Sequence, residues 1–256
     1  MLTNETLYTV LAIMTSVAAG LIGSFALLRK MTLASDVMSH IALPGIGLAL
    51  IASVDPLLGG AVALIVGAII IWKIEGASGI NTDAVVGVVF AISLAIGTLM
   101  LTKEELIDAL LGSSGELNIY EFLLGAVLAI AVITFAIIKR HALVLVLVSK
   151  DLAKTGGINV ERLNLYFLIA FAMAIILGLR YLGVLLMGAL IMIPPAIGRN
   201  LARNLNSMLV VSIGTAAIST SLGLIIAPII DKPVGPVIII TAGFLFIVSM
   251  FFKSED

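Results

Sequence analysis

Nine apolar stretches of helical length run through the chain, near 5–28, 34–53, 56–74, 83–101, 119–138, 163–180, 182–199, 206–230 and 234–252. At a rise of about 1.5 Å per residue, such runs approach or span the hydrocarbon core of a bilayer. A backbone in lipid must satisfy its N–H and C=O groups from within the chain, which leaves helices or a closed barrel. These runs are continuous rather than alternating, so a barrel is excluded. The expected fold is an all-α, polytopic transmembrane bundle of about nine spans, or eight. The polar breaks carry turn residues, as in "SVDP", "EGASGINTD", "SSGELN", "TGGIN" and "DKPVGP". None of them is long enough to separate folded units, so residues 1–256 read as a single domain. With 61% hydrophobic and only 11% charged residues, a soluble globular domain is excluded. The first run is too long for a signal peptide and lacks a small-residue cleavage pattern, so it is kept as a span. There are no cysteines, which rules out disulfides, thiolate metal sites and cysteine nucleophiles.

Charge sets the orientation. Nine spans put the two ends on opposite sides, and with the amino terminus outside, 11 of the 14 Lys and Arg residues face the cytoplasm. Only Lys103, Arg180 and Lys232 then lie outside, together with eight acids. The carboxyl terminus is cytoplasmic, and the location is the cell membrane. An acidic outer face concentrates cations near it; solvated loop residues obeying the orientation rule would look the same. Two connections exceed the needs of a turn. The outer one, 102–118, carries Leu106, Ile107, Leu110 and Leu111 on one side of a short helix-like piece. The inner one, 139–162, is where a soluble partner would dock.

Within the second run, "RKMTLASDVMSHIALPGIGLAL" places Asp36 and His40 deep in an apolar span. Positions four apart share one helix face, so carboxylate and imidazole can address the same point. An ionisable group there costs at least about 2.5 kcal/mol unless it meets a wet or liganded cavity. Carboxylate oxygen plus imidazole nitrogen is half of a site for zinc, manganese or ferrous iron. A homodimer with a two-fold axis would supply two of each. The other account of the pair is a hydrogen bond between the two residues or to a neighbouring helix. Pro44 removes a backbone donor just beyond His40 and should kink or unwind the span. Gly45 and Gly47 let another helix come close. Pro194 and Pro195 should break helical bonding near the inner face of the seventh span. His141, beside Lys139 and Arg140, reads as a solvated loop residue.

Taken together, "LRKMTLASDVMSHIALPGIGLAL", "NTDAVVGVVFAISLAIG", "SKDLAKTGGINVERLNLYFLIAF" and "RYLGVLLMGALIMIPPAIGRNLAR" resemble, in order, the blocks of the ABC-type permeases that import zinc or manganese. The resemblance spans about residues 7 to 250. It implies a homodimer around one path, a cytoplasmic ATP-binding subunit on each copy, and an extracellular metal-binding protein that delivers the ion. It implies that Asp36 and His40 coordinate the passing ion as a gate. It also implies that "DLAKTGG" is the helix that inserts into the ATPase, with Asp151, Ala153 and Gly157 at the matching positions. Pro44, Gly45, Pro194 and Pro195 are expected around the gate as kinks. No permanently bound cofactor and no nucleic-acid partner is expected, only the transported manganese, zinc or iron.

The chain has no G-x-x-x-x-G-K-[ST] loop, so it is not an ATPase, and a nucleotide site would lie on another polypeptide. Three rivals stay open on the residues alone. A proton-coupled secondary transporter could use the same pair as a relay. An intramembrane hydrolase could use it as acid and base or as metal ligands, although such sites usually offer three ligands. A permease for a large metal chelate would share the architecture but have less use for an ionic pair.

Overall fold

The computed structural model describes residues 4–31, 34–102, 118–181 and 184–252, and at 34–36, 180–181 and 184–185 the backbone alone. Every regular element among the described residues is a helix: α1 (Asn4–Leu28), α2 (Ala34–His40), α3 (Leu43–Ile51), α4 (Pro56–Ser78), α5 (Thr82–Met100), α6 (Ile119–Val148), α7 (Lys150–Thr155), α8 (Val160–Tyr181), α9 (Val184–Leu201), α10 (Leu205–Ile229) and α11 (Val234–Phe251). Seven of these, α1, α4, α5, α6, α8, α10 and α11, are long and apolar enough to cross a membrane. The other two expected spans correspond to shorter apolar runs, Val37–Ile51 and Leu186–Leu201. The outer connection with Leu106, Ile107, Leu110 and Leu111 lies outside the described residues.

α1 is the hub. It touches α6, α8, α9 and α10, and 72% of its most apolar window is buried. Lipid gives two helices no hydrophobic reason to associate, so close packing across small residues must hold them together. α1 supplies those residues. A Cβ on Gly20 would come within 3.0 Å of the Ser212 carbonyl of α10, and one on Gly23 would overlap the Ile191 carbonyl of α9. α8 is the second buried helix, with Phe167 and Phe171 fully enclosed. α5, α6 and α11 turn much of their length outward, exposing side chains such as Ile92, Val127 and Phe244. In a membrane that surface faces acyl chains without penalty.

α6 departs from the expected pattern. It runs for 30 residues, ten past the expected span end at residue 138. At about 1.5 Å per residue it is roughly 45 Å long, well beyond a hydrocarbon core of about 30 Å. Lys139, Arg140 and His141 therefore sit within a helix that continues through "ALVLVLV", not in a loop. The start is fixed by a capping box between Asn118 and Glu121. The end comes only at Ser149, whose side chain caps the next helix.

Candidate functional site

The second expected span is two helices. α2 ends at His40, and the next residues close tight turns: Ile41 N–H donates to the Met38 carbonyl at 3.0 Å, and Ala42 N–H to the Ser39 carbonyl at 3.3 Å. α3 restarts at Leu43 with Pro44 in its first turn. A proline there gives up no helical bond, because first-turn N–H groups have no intrahelical acceptor. Proline thus opens a new helix rather than bending an old one. Gly45 packs backbone to backbone against Gly59 of α4, and Gly47 lies under Met100 of α5.

His40 stands at that break. Its side chain is half-buried, and its ring lies 5.6 Å from the Phe90 ring of α5, tilted by 56°. Met38, Ser39, Ile41 and Ala42 around it are buried. α2 packs on α5, α8 and α9, which holds the imidazole between helices. Asp36 lies one turn earlier on α2, and its side chain is outside the described residues. Among the described residues, no three His, Cys, Asp or Glu side chains gather where they could hold a metal ion.

At Pro194–Pro195, where the sequence calls for a loss of helical bonding, the helix is uninterrupted. α9 continues helically through both residues, and both are buried. Neither proline can donate to the residue four positions earlier, so position 195 offers no N–H to the Ile191 carbonyl. That carbonyl instead lies against Gly23 of α1.

The segment "DLAKTGG" forms α7. Ser149 Oγ accepts from Leu152 N–H at 3.2 Å at its start. At its end, Gly157 takes φ 79°, with Ile158 N–H donating to the Ala153 carbonyl at 2.9 Å and Gly157 N–H to the Lys154 carbonyl at 3.0 Å. This pair of bonds is the closure that calls for a left-handed residue, hence glycine. Asp151 and Gly157 are exposed, whereas Ala153 is fully buried and seats α7 on its own chain beside α6 and α8. The outward apolar side chain is Leu152, a residue passed over in the sequence although it was visible between Asp151 and Ala153.

Beside α7 lies an open cleft of about 700 Å³, walled by Arg29, Lys30, Trp72, Glu75, Lys150 and Lys154 among others. Arg29 donates to Asn164 Oδ1 at 2.6 Å, and Asn164 Nδ2 donates to Glu75 Oε2 at 2.6 Å. Burial pulls the Arg29 guanidinium down to about 10, with Glu75 pulling it back up, and it remains a cation at neutral pH. No sequence signal links these residues, which lie 135 and 89 positions apart.

A bundle of apolar helices, with one apolar run broken in two and a short capped helix, defines a polytopic membrane protein, and comparison gives its family. The model of the ABC 3 transport family matches residues 5–253. The chain belongs to that family, a membrane transport subunit and not an enzyme. It is 28% identical over 249 residues to the high-affinity zinc uptake system membrane protein ZnuB of Haemophilus influenzae, covering 94% of this chain and 95% of that protein. It is 27% identical to the manganese import system permease protein ScaB of Streptococcus gordonii, covering 96% and 90%. Its fold matches the solved structure of PsaBC from Streptococcus pneumoniae in complex with Fab, with a TM-score of 0.81 at 27% identity over 96% of this chain and 90% of that one.

Proposed function

We propose that this chain is the membrane-spanning permease of an ATP-driven importer that carries a divalent transition metal ion, manganese, zinc or ferrous iron, into the cytoplasm. The names of its relatives, which handle zinc or manganese, support the substrate class. The observation that carries the mechanism is His40 at the end of α2, beside a helix break inside the apolar region. Irregular backbone is tolerated at such depth only where protein or water covers it, and a ligand there meets an ion rather than lipid. Asp36 and His40 are the gate in this account.

Two ligands per chain are too few for a site. A second copy across a two-fold axis completes four, so the working unit is a homodimer around one path. The chain crosses the membrane nine times, the short runs included, with its amino terminus outside and its carboxyl terminus in the cytoplasm. Arg29, Lys30, Lys150 and Lys154 line one cleft, and such a cationic end belongs in the cytoplasm. There α7 meets a separate ATP-binding subunit, through Asp151, Leu152 and the turn at Gly157, while an extracellular metal-binding protein delivers the ion on the other side.

Proteoliposomes that hold the permease with its ATP-binding subunit and binding protein test this. Accumulation of radiolabelled manganese or zinc should require hydrolysable ATP. Accumulation that follows an imposed proton gradient, with no ATP-binding subunit present, would select a secondary transporter instead.

A further inference from the structure

The cleft beside α7 holds polar side chains for which ion coordination has no use. Arg29 opens the turn that leaves α1. Its guanidinium donates to Asn164 of α8 and lies over the Phe167 ring, 4.1 Å from the centroid. Asn164 passes the contact on by donating to Glu75 of α4. Three residues before Glu75, Trp72 Nε1 donates to the Glu161 carbonyl at 3.1 Å. α4 is thus tied to α8 twice, and the end of α1 is tied to α8 directly and to α4 through Asn164. The two bonds through Asn164 involve charged partners and are short, and partial burial strengthens them relative to surface contacts.

The backbone beside Arg29 is equally fixed. Lys30 adopts φ 61°, a left-handed conformation that glycine would take more easily. Met31 N–H donates to the Ala26 carbonyl at 2.9 Å and Lys30 N–H to the Leu27 carbonyl at 3.0 Å, and Met31 is buried behind them. The chain is therefore set as far as Met31, and α2, which carries Asp36 and His40, begins at Ala34. On the far side of the cleft, α7 rests on α6 and α8, and α8 carries Asn164 in its second turn.

We propose that Arg29, Asn164 and Glu75 form a clasp that transmits movement of α7, through α8, to the α1–α2 connection and so to the gate. The proposal rests on α7 as the ATPase-docking helix and on Asp36 and His40 as the gate. Asn164 touches neither ion nor nucleotide and is a positioning residue. Without its amide, α7 can still respond to ATP, but the response no longer reaches α2.

The test compares metal imported per ATP hydrolysed in proteoliposomes of the full complex. Asn164→Asp still accepts from Arg29 but sets a second carboxylate against Glu75. It should lower the ratio at least about fivefold, the lower end of ordinary coupling strengths, while ATP hydrolysis continues. Adding Glu75→Gln restores a donor opposite the introduced carboxylate and should restore the ratio, which a merely disturbed fold would not do. If Asn164→Asp does not accumulate, Asn164→Ala, which removes both bonds without adding charge, is measured for the same fall. A wild-type ratio in the single variant, or a fall that the double variant does not reverse, overturns the clasp. Wild-type complex that hydrolyses ATP without importing metal overturns the transport reading, and the clasp with it.

Discussion

Gly45 of α3 and Gly59 of α4 meet backbone to backbone: a Cβ built on either would overlap the carbonyl oxygen of the other. α3 begins shortly past the break at His40, so this crossing fixes where the segment beyond His40 can lie. Forcing a methyl into a packed contact of this kind costs about 1–3 kcal/mol. Gly45→Ala and Gly59→Ala should each lower the thermal midpoint of the detergent-solubilised protein, followed through Trp72, its only tryptophan. Gly243→Ala is the control, because a Cβ there meets nothing within 4 Å, and it should leave the midpoint unchanged or raise it. Equal midpoints for all three would contradict the crossing.

The Ile191 carbonyl offers a second comparison. It lies against Gly23, and Pro195 has no N–H to give it. Pro195→Ala supplies that N–H within an already helical backbone, so the variant should accumulate in the membrane and unfold within about 1 kcal/mol of wild type. Gly23→Val puts a branched side chain into the Ile191 backbone and should not accumulate. If Pro195→Ala proved the more damaging of the two, the close contact of α1 with α9 at Gly23 would not be what the fold depends on there.

Gly157 is exposed, so its value lies in φ 79° and not in packing. A side chain in the left-handed region costs about 1–2 kcal/mol, with asparagine the best tolerated. Gly157→Ala should weaken association with the ATP-binding subunit by about fivefold or more, at about 1.4 kcal/mol per tenfold, and Gly157→Asn should weaken it less. Titration of the subunit against the permease in nanodiscs measures both. Indistinguishable affinities for the two variants would remove the turn from the account.

Adjacent residues on α7 face opposite ways. Leu152 is 58% exposed and Ala153 is fully buried. Leu152→Ala should reduce affinity for the ATP-binding subunit by about tenfold, as truncation of an apolar interface anchor does, without changing the thermal midpoint. Ala153→Leu should lower the midpoint by overpacking α7 against α6 and α8. The reverse pattern would mean that α7 presents its other face.

What the sequence revealed followed from local chemistry. Hydropathy alone marks the apolar runs, and Pro44 marks where the second one divides, because a first-turn proline acts on its own backbone. The spacing of Asp36 and His40 is visible for the same reason. Pro194 and Pro195 mark where helical bonds are missing, but the Gly23 contact with the Ile191 carbonyl joins residues far apart in the chain and leaves no sign there. Lys139 and Arg140 mark where the apolar run stops but not where α6 ends, because a helix can outrun the membrane. Phe90 beside His40, and the Arg29–Asn164–Glu75 chain, arise only from tertiary packing and leave no pattern in the sequence.

The central claim is that His40 holds the ion in transit. The most direct test is uptake of radiolabelled manganese and zinc by the native host, with the chromosomal copy replaced by His40→Ala. Uptake of the transported metal should be lost, with as much permease in the membrane as in wild type and the ATP-binding subunit still attached. Unchanged uptake of both metals in that strain would reduce His40 to a packing residue against Phe90 and contradict the gate.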